Sequence, residues 1–469
     1  MNAKTIIILL SLITSLATLR AIADQNIPLD NNSKWLPPIA NKETNPAFYP
    51  HRANTRTGTL LDHKEFEPAA TCGSCHQEIY QQWQQSIMAK SWEDPIYRAL
   101  LAKASAATNG KVDKFCTGCH SPIGLTTGTI QNVTHQKSDP KSDNLAPGVD
   151  CESCHNITGR TGLDNGAYIL EPNSKNGLPT KLGPRKDAVS PYHETEYSEL
   201  HTRSDFCAVC HNVTHPFSHT PIERTYDEWL ESNYSTNDTQ CQDCHMPSYR
   251  GKAAVMGPVR EDVASHYFAG ANTTLHKYFG DYEAALRAEK MLKSAGTVEI
   301  TEIKNLVPGG VATISVKAEN KNTGHKLPTG FPEGREVWID FSVTDSNKKT
   351  LYRLGKIKDG KTEPGTKNFK VWLGDKDGNV LDIEVWQVEK VLKDNRLLPG
   401  GFEELSYSFL VPPQAKLPLQ ISATMKYWNF PQKLVDELLG EGEITVDIVD
   451  IDHAQITLND WQQTAFAVK

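Results

Sequence analysis

All ten cysteines of this 469-residue chain fall in one five-residue word, repeated five times and always closed by histidine. The copies are Cys72-Gly-Ser-Cys75-His76, Cys116-Thr-Gly-Cys119-His120, Cys151-Glu-Ser-Cys154-His155, Cys207-Ala-Val-Cys210-His211 and Cys241-Gln-Asp-Cys244-His245. Two thiols three positions apart can add across the two vinyl groups of one porphyrin, and the imidazole that follows reaches its iron. The pattern predicts five covalently attached c-type haems, each with its iron. Chance at this composition would supply on the order of 0.01 such words. Zinc sites draw four ligands from two separated pairs and give no reason for a histidine after every pair. A disulfide framework does not ask for the histidine either, and thiols held as thioethers leave no disulfides to form.

The five word histidines, His76, His120, His155, His211 and His245, are the expected proximal ligands. What the haems can do turns on the opposite side of each iron. A haem with two protein ligands changes oxidation state with little rearrangement and passes electrons, whereas an open one can bind and transform a small molecule. Eleven histidines lie outside the words, more than five irons require.

The elements that must hold these groups begin with an address. Lys4, the apolar run Ile6 to Leu19 and the small residues Ala21-Ile22-Ala23 predict a secretory signal over 1–23, with an uncleaved anchor as the competing reading. Haem attachment to cysteine takes place outside the cytoplasm, so the expectation is an exported, periplasmic protein, with the outer surface or extracellular space also open. After the signal no stretch is long and apolar enough to span a bilayer. Removing residues 1–23 takes away Lys4 and Arg20 and no acid, so 47 cations remain against 57 acids, a net charge of −10. Such a balance argues against nucleic acid as a partner and favours a redox protein with a basic docking surface; self-assembly stays open.

Residues 24–70 are polar and rich in proline and asparagine, an extended strap in which His51 and His63 read as surface residues. Over 71–294 the spacing predicts a helix from Gln77 to Lys90, with Ile79, Tyr80, Trp83 and Ile87 on one face, a solvated loop at 137–143 and helices starting at Thr225 and spanning Asp281 to Lys293. Residues 156–190 carry too few aliphatics for a conventional core, so the porphyrins are expected to supply apolar surface there. Past Gly296 the period falls to two. Ile314/Val316/Ala318, Val337/Ile339/Phe341/Val343, Leu405/Tyr407/Phe409/Val411, Leu419/Ile421/Ala423/Met425/Tyr427 and Ile444/Val446/Ile448 read as half-buried strands, interrupted by a helix over Gln432 to Leu439. The expected fold class is α+β: a mainly irregular and helical haem domain, 71–294, followed by an antiparallel, Ig-like β-sandwich, 295–469.

Several segments besides the words carry a family likeness. Trp83-Gln-Gln-Ser86-Ile-Met88-Ala89 with Asp94-Pro95, Gly148-Val-Asp-Cys151, His201 before Phe206-Cys207, Cys241 to Met246-Pro247, and His266 before Gly270-Ala-Asn272 together resemble multihaem c-type cytochromes. The group is the one related to the tetrahaem carriers of ammonia oxidisers and to hydroxylamine oxidoreductase. The likeness covers roughly 64–280 and continues in Asn322-Thr-Gly324-His325-Lys-Leu-Pro328-Thr-Gly330, which looks like the opening of a β-domain found in some of these cytochromes. Position and resemblance together imply distal ligands in the order His201 and His266, then His193, then Met88 and His325. The position of Met88 is His or Met in the family, and packing is its alternative. His325 in a polar loop could equally be a turn residue. A thioether raises a haem potential, so a Met88-ligated haem would be the electron-accepting end. His135, His215, His219, His276 and His453 are expected at the surface or on propionates.

The leading functional expectation is an exported electron carrier in a respiratory or extracellular chain. The alternative is an oxidoreductase acting on a small nitrogen or sulfur compound at one open haem. No word ends in lysine, which counts against an ammonia-forming nitrite reductase. The sandwich offers no nucleophile–base pair and reads as a docking or packing element, with an adhesion or assembly role as a third reading.

Overall fold

Capping residues, rather than long apolar runs, define the helices of the first half. Asp94 accepts from the backbone of Ile96 (2.8 Å) and Tyr97 (3.2 Å) to start the helix Pro95–Thr108, which stops at Asn109 in the left-handed region. Asp150 likewise caps the short helix Cys151–His155, so the acid before the third word is structural. The helix expected from Gln77 to Lys90 ends at Gln84, because the Ser86 hydroxyl takes the backbone N–H of Ala89 (3.1 Å) and turns the chain. The computed structural model describes residues 45–130, 133, 147–461 and 466–467; the signal segment, the start of the strap, His135 and the 137–143 loop lie outside them.

The chain is α+β, a helical and irregular part followed by a sheet-rich part. In the latter, one antiparallel sheet runs Phe402–Leu410, Val311–Asn320, Gly296–Lys304, Phe466–Ala467. The second runs Thr350–Leu354, Glu336–Thr344, Leu419–Trp428, Val449–Leu458, with Asn368–Phe369 added to Glu336–Thr344. Their apolar faces meet in one core, where Phe341 stacks on Tyr407 (4.1 Å between ring centres) and Tyr352 on Phe409 (4.8 Å), each pair joining one sheet to the other. Four of the five alternating runs lie on strands of these sheets.

The fifth does not. Ile444, Val446 and Ile448 precede the strand Val449–Leu458, and Ile444 and Val446 fill a second core with Trp338, Trp428, Leu434 and Val435. Ile96 and Leu275 from the helical part enter the same core, and the helices Pro95–Thr108 and Gln432–Leu439 touch. The residues alternate because they plug a joint, not because they pair.

Two other expectations change in the helical part. Residues 156–190 form short strands, Ile157–Arg160, Tyr168–Leu170, Asn173–Lys175 and Leu178–Gly183, and bury Ile157, Ala167, Tyr168, Leu170 and Leu182. The described end of the strap sends Phe48, His51, Ala53 and Phe66 inward. Among the described residues no helix is long and apolar enough to cross a membrane.

Candidate haem centres

Helical turns carry the words. Cys116–His120 closes the helix Asp113–His120, and Cys151–His155 and Cys241–His245 are short helices in themselves. On a helix, positions three apart share a face, so both cysteines of a word aim the same way with the histidine beside them. The cysteine side chains of Cys72 and Cys151, of Cys119 and Cys210, and of Cys207 and Cys241 lie within contact range of one another. These contacts set the first word beside the third, the second beside the fourth, and the fourth beside the fifth.

Four word histidines are oriented alike. Nδ1 of His76 bonds the carbonyl of Ala253 (2.6 Å), that of His155 the carbonyl of Leu182 (2.6 Å), that of His245 the carbonyl of Ala269 (2.7 Å) and that of His120 the carbonyl of Ser91 (3.1 Å). A carbonyl only accepts, so Nδ1 keeps the proton and Nε2 keeps the lone pair that iron needs. Burial also pushes the pKa of His120 down to about 4 and lowers those of His155 and His245, which holds the rings neutral at pH 7.

Three of these rings face a second imidazole. His76 and His193 lie 6.2 Å apart between ring centres with planes 34° apart, His155 and His201 5.8 Å and 19°, His245 and His325 6.4 Å and 15°. Two metal–imidazole bonds of about 2.0 Å, plus about 1.1 Å from each nitrogen to its ring centre, require roughly 6.2 Å. The three pairs therefore fit one iron each. His193 and His325 give Nδ1 to the carbonyls of Glu194 (3.1 Å) and Lys326 (3.0 Å), whereas His201 uses Nε2 on Cys154 (3.1 Å) and leaves a buried Nδ1 without a partner. Burial holds His201 and His325 near a pKa of about 4.

The remaining candidates distribute differently. His266 is held by Gln82 through its backbone (2.8 Å) and by Ala264 at Nδ1 (3.0 Å), within electrostatic range of His155 and His76, and its ring contact is Phe268 at 5.6 Å. The Met88 carbonyl accepts from Val149 N (2.9 Å) and lies 2.8 Å from the Ser91 hydroxyl, between the second and third words. His120 is stacked at 3.6 Å and 3° not by an imidazole but by Tyr97, whose hydroxyl is buried without a partner. His63 is half-buried, and His219 and His453 are exposed, as a surface role requires.

His51, expected at the surface, is buried, and so are His215 and His276, expected at the surface or on propionates. His51 fills a slot between Gly118 and Gly166, where a Cβ on either glycine would overlap its ring. It accepts from Ala53 N at Nδ1 (3.0 Å), so its Nε2 carries the proton and points to Cys119 Sγ (3.6 Å). His215 bonds the Ser218 hydroxyl (2.8 Å), and its Nε2 and the Nδ1 of His276 are buried without partners. Nothing in a single sequence marks these sites, because what buries them is the approach of glycines and loops from elsewhere.

Two acids were missed. Glu223 returns beside the fourth word because its strand, Pro221–Glu223, pairs with Val213–Thr214, and its Oε1 lies 3.5 Å from His211 Nδ1. The His211 side chain is 56% accessible, and the nearby carboxylate of Glu223 favours a proton on it. Glu333 is buried, and both its carboxylate oxygens lack partners among the described residues. Burial, aided by the like charge of Glu223 and opposed by its own backbone N–H, Arg396 and Lys370, raises its pKa to about 8. A carboxyl that binds its proton more tightly when folded stabilises fully below its unfolded pKa near 4.5 and loses that contribution as pH rises towards 8. Glu333→Gln should therefore leave thermal stability at pH 4 unchanged and raise it at pH 8.5 by on the order of 3 kcal/mol. Equal midpoints at both pH values would show the carboxyl to be solvated.

Comparison with known proteins agrees with this arrangement. Residues 71–156 match the family model "Cytochrome c554 and c-prime". The fold is similar to that of a penta-heme cytochrome c552 from Thermochromatium tepidum, with a TM-score of 0.61 and 20% identity, over 84% of this chain and 99% of that one. No curated protein matches. The matched segment and the fold are similar to those of multihaem c-type cytochromes, in agreement with the repeated word.

Proposed function

We propose that the chain is an exported electron-transfer cytochrome that relays electrons through five covalently bound haems in a respiratory or extracellular chain. The observation that carries this reading is the set of three facing imidazole pairs, each at the separation two axial ligands of one iron need. His193, His201 and His325 are the second ligands of the first, third and fifth haems. Met88 and His266, the latter beside His76 and His155, are the remaining candidate ligands. Rings fixed by backbone carbonyls let an iron change charge with little movement of its surroundings, and the adjacent words keep neighbouring haems within electron-transfer range. A net charge of −10 after signal removal favours a redox partner with a basic docking face.

A second reading has one observation behind it. Among the described residues no imidazole is paired with His120 as His193, His201 and His325 are with their partners, which suits an open second haem acting on a small nitrogen or sulfur compound. Carbon monoxide added to the reduced, haem-loaded protein separates the two. A carrier leaves at least three haem equivalents of the Soret band unchanged. One responding haem that also turns over nitrite or hydroxylamine supports the enzyme, and conversion of most of the band, or a mass lacking five tetrapyrroles, overturns the carrier.

A further inference from the structure

His211 differs from the other word histidines in its partner. Four give Nδ1 to a backbone carbonyl, whereas His211 faces the carboxylate of Glu223 at 3.5 Å. That carboxylate is not isolated. The Thr225 hydroxyl donates to Glu223 Oε1 (3.1 Å) and lies 2.8 Å from the Thr329 hydroxyl, which donates to Glu228 Oε2 (2.7 Å). Glu228 in turn pairs with Arg396 and accepts from the backbone N–H of Lys326 (3.2 Å), the neighbour of His325. The chain of contacts thus begins at the axial ligand of the fourth haem and ends at the loop carrying the proposed second ligand of the fifth.

We infer that Glu223 is a positioning residue that sets the potential of the fourth haem, and that Thr225, in contact with Thr329 of the sheet-rich half, adjusts its strength. The inference rests on His211 being an iron ligand. A carboxylate on Nδ1 makes the imidazole a more basic ligand and favours ferric iron, so it lowers the potential relative to a carbonyl partner. Thr225 has one hydroxyl proton and two acceptors, Glu223 and Thr329. When the proton points at Glu223, the carboxylate is partly satisfied and pulls less on His211. When it points at Thr329, the pull is stronger. The sheet-rich loop therefore biases the electronics of a haem it does not ligate.

A spectroelectrochemical titration of the full haem-loaded chain tests this. Glu223→Gln should move one-fifth of the absorbance amplitude to higher potential by at least a tenfold change in the reduction equilibrium, about 59 mV for one electron. Glu223→Asp should return that component towards the parent value. Thr225→Val removes a donor from Glu223 and should shift the same component the opposite way, whereas Thr329→Val commits the Thr225 proton to Glu223 and should shift it slightly upward. A merely structural role would not give opposite signs for the two threonines. If Glu223→Gln, with five haems present by mass, titrates as the parent does, or if both threonine variants move the component in one direction, the inference is wrong. A parent protein with no haem on Cys207 and Cys210 would instead remove the reading on which it rests.

Discussion

Arg396→Ala should cost about 3–5 kcal/mol in unfolding free energy, read from urea or thermal denaturation of the haem-loaded protein. The Arg396 side chain is only 5% accessible and that of its partner Glu228 4%. The guanidinium pairs with Glu228 Oε1 at 2.7 Å, makes two bonds to Asp394 at 2.8 and 2.9 Å, and reaches the carbonyl of Pro328 at 3.2 Å. Asp394 also holds Lys326 (2.8 Å), and these bonds bring its pKa down to about 2 against the burial that opposes them. Truncating the arginine leaves Asp394 with a cation but leaves Glu228 buried with only the Lys326 backbone and the Thr329 hydroxyl. The loss comes from that stranded charge, not from the net worth of the pair, so Arg396→Met combined with Glu228→Leu should recover most of it. A loss under about 1 kcal/mol for the single change would mean that water reaches the cluster. Because Glu228 sits on the helix Thr225–Leu230 and Arg396 in the sheet-rich half, the same measurement reports how firmly the two halves are joined.

The second large effect is expected at His325. His325→Ala should convert one haem of five from low-spin to high-spin, and the reduced protein should bind one further equivalent of carbon monoxide. The ring sits 6.4 Å from His245, nearly parallel to it. Its loop is fixed at three points: the Asn320 amide and the Thr323 hydroxyl both donate to the His325 carbonyl (2.9 and 2.7 Å), and the next residue is anchored to Glu228. Ligands held this firmly are not replaced by a neighbouring side chain when removed, so the open position should persist. His453→Ala, at an exposed ring bonded within its own sheet to Thr424 and Gln455, is the control and should leave the spectrum untouched. An unchanged spin state in His325→Ala would return the residue to the plain turn role its polar surroundings also allow. The pairing also gives the sheet-rich half a definite task, since it would supply an axial ligand rather than merely cover the haems.

Reading strands from a period of two succeeded where the alternation faced a partner sheet and failed at Ile444, Val446 and Ile448, where the same pattern serves a plug between the two halves. Periodicity reports which side chains are buried, not whether the backbone carrying them is paired. The helix after the first word was overextended for a related reason: the apolar face continues to Ile87, but the Ser86 hydroxyl competes for the backbone and wins. His51 was read as exposed from its polar neighbourhood, although two distant glycines make a slot of its shape.

By itself the sequence pointed to haem c attachment at the paired cysteines, and determined that a helical part gives way to strands. Both are local properties: a thioether word closes within five residues, and strand alternation is written along one segment. Only the tertiary structure decided which imidazole faces which, that Tyr97 stacks on the His120 ring, and that His211 alone among the word histidines meets a carboxylate. An iron needs its second ligand about 4 Å beyond the first nitrogen, wherever in the chain that ligand originates. Sequence separation carries no information about such a distance, because it is fixed by how far each loop folds back before its backbone hydrogen bonds are satisfied.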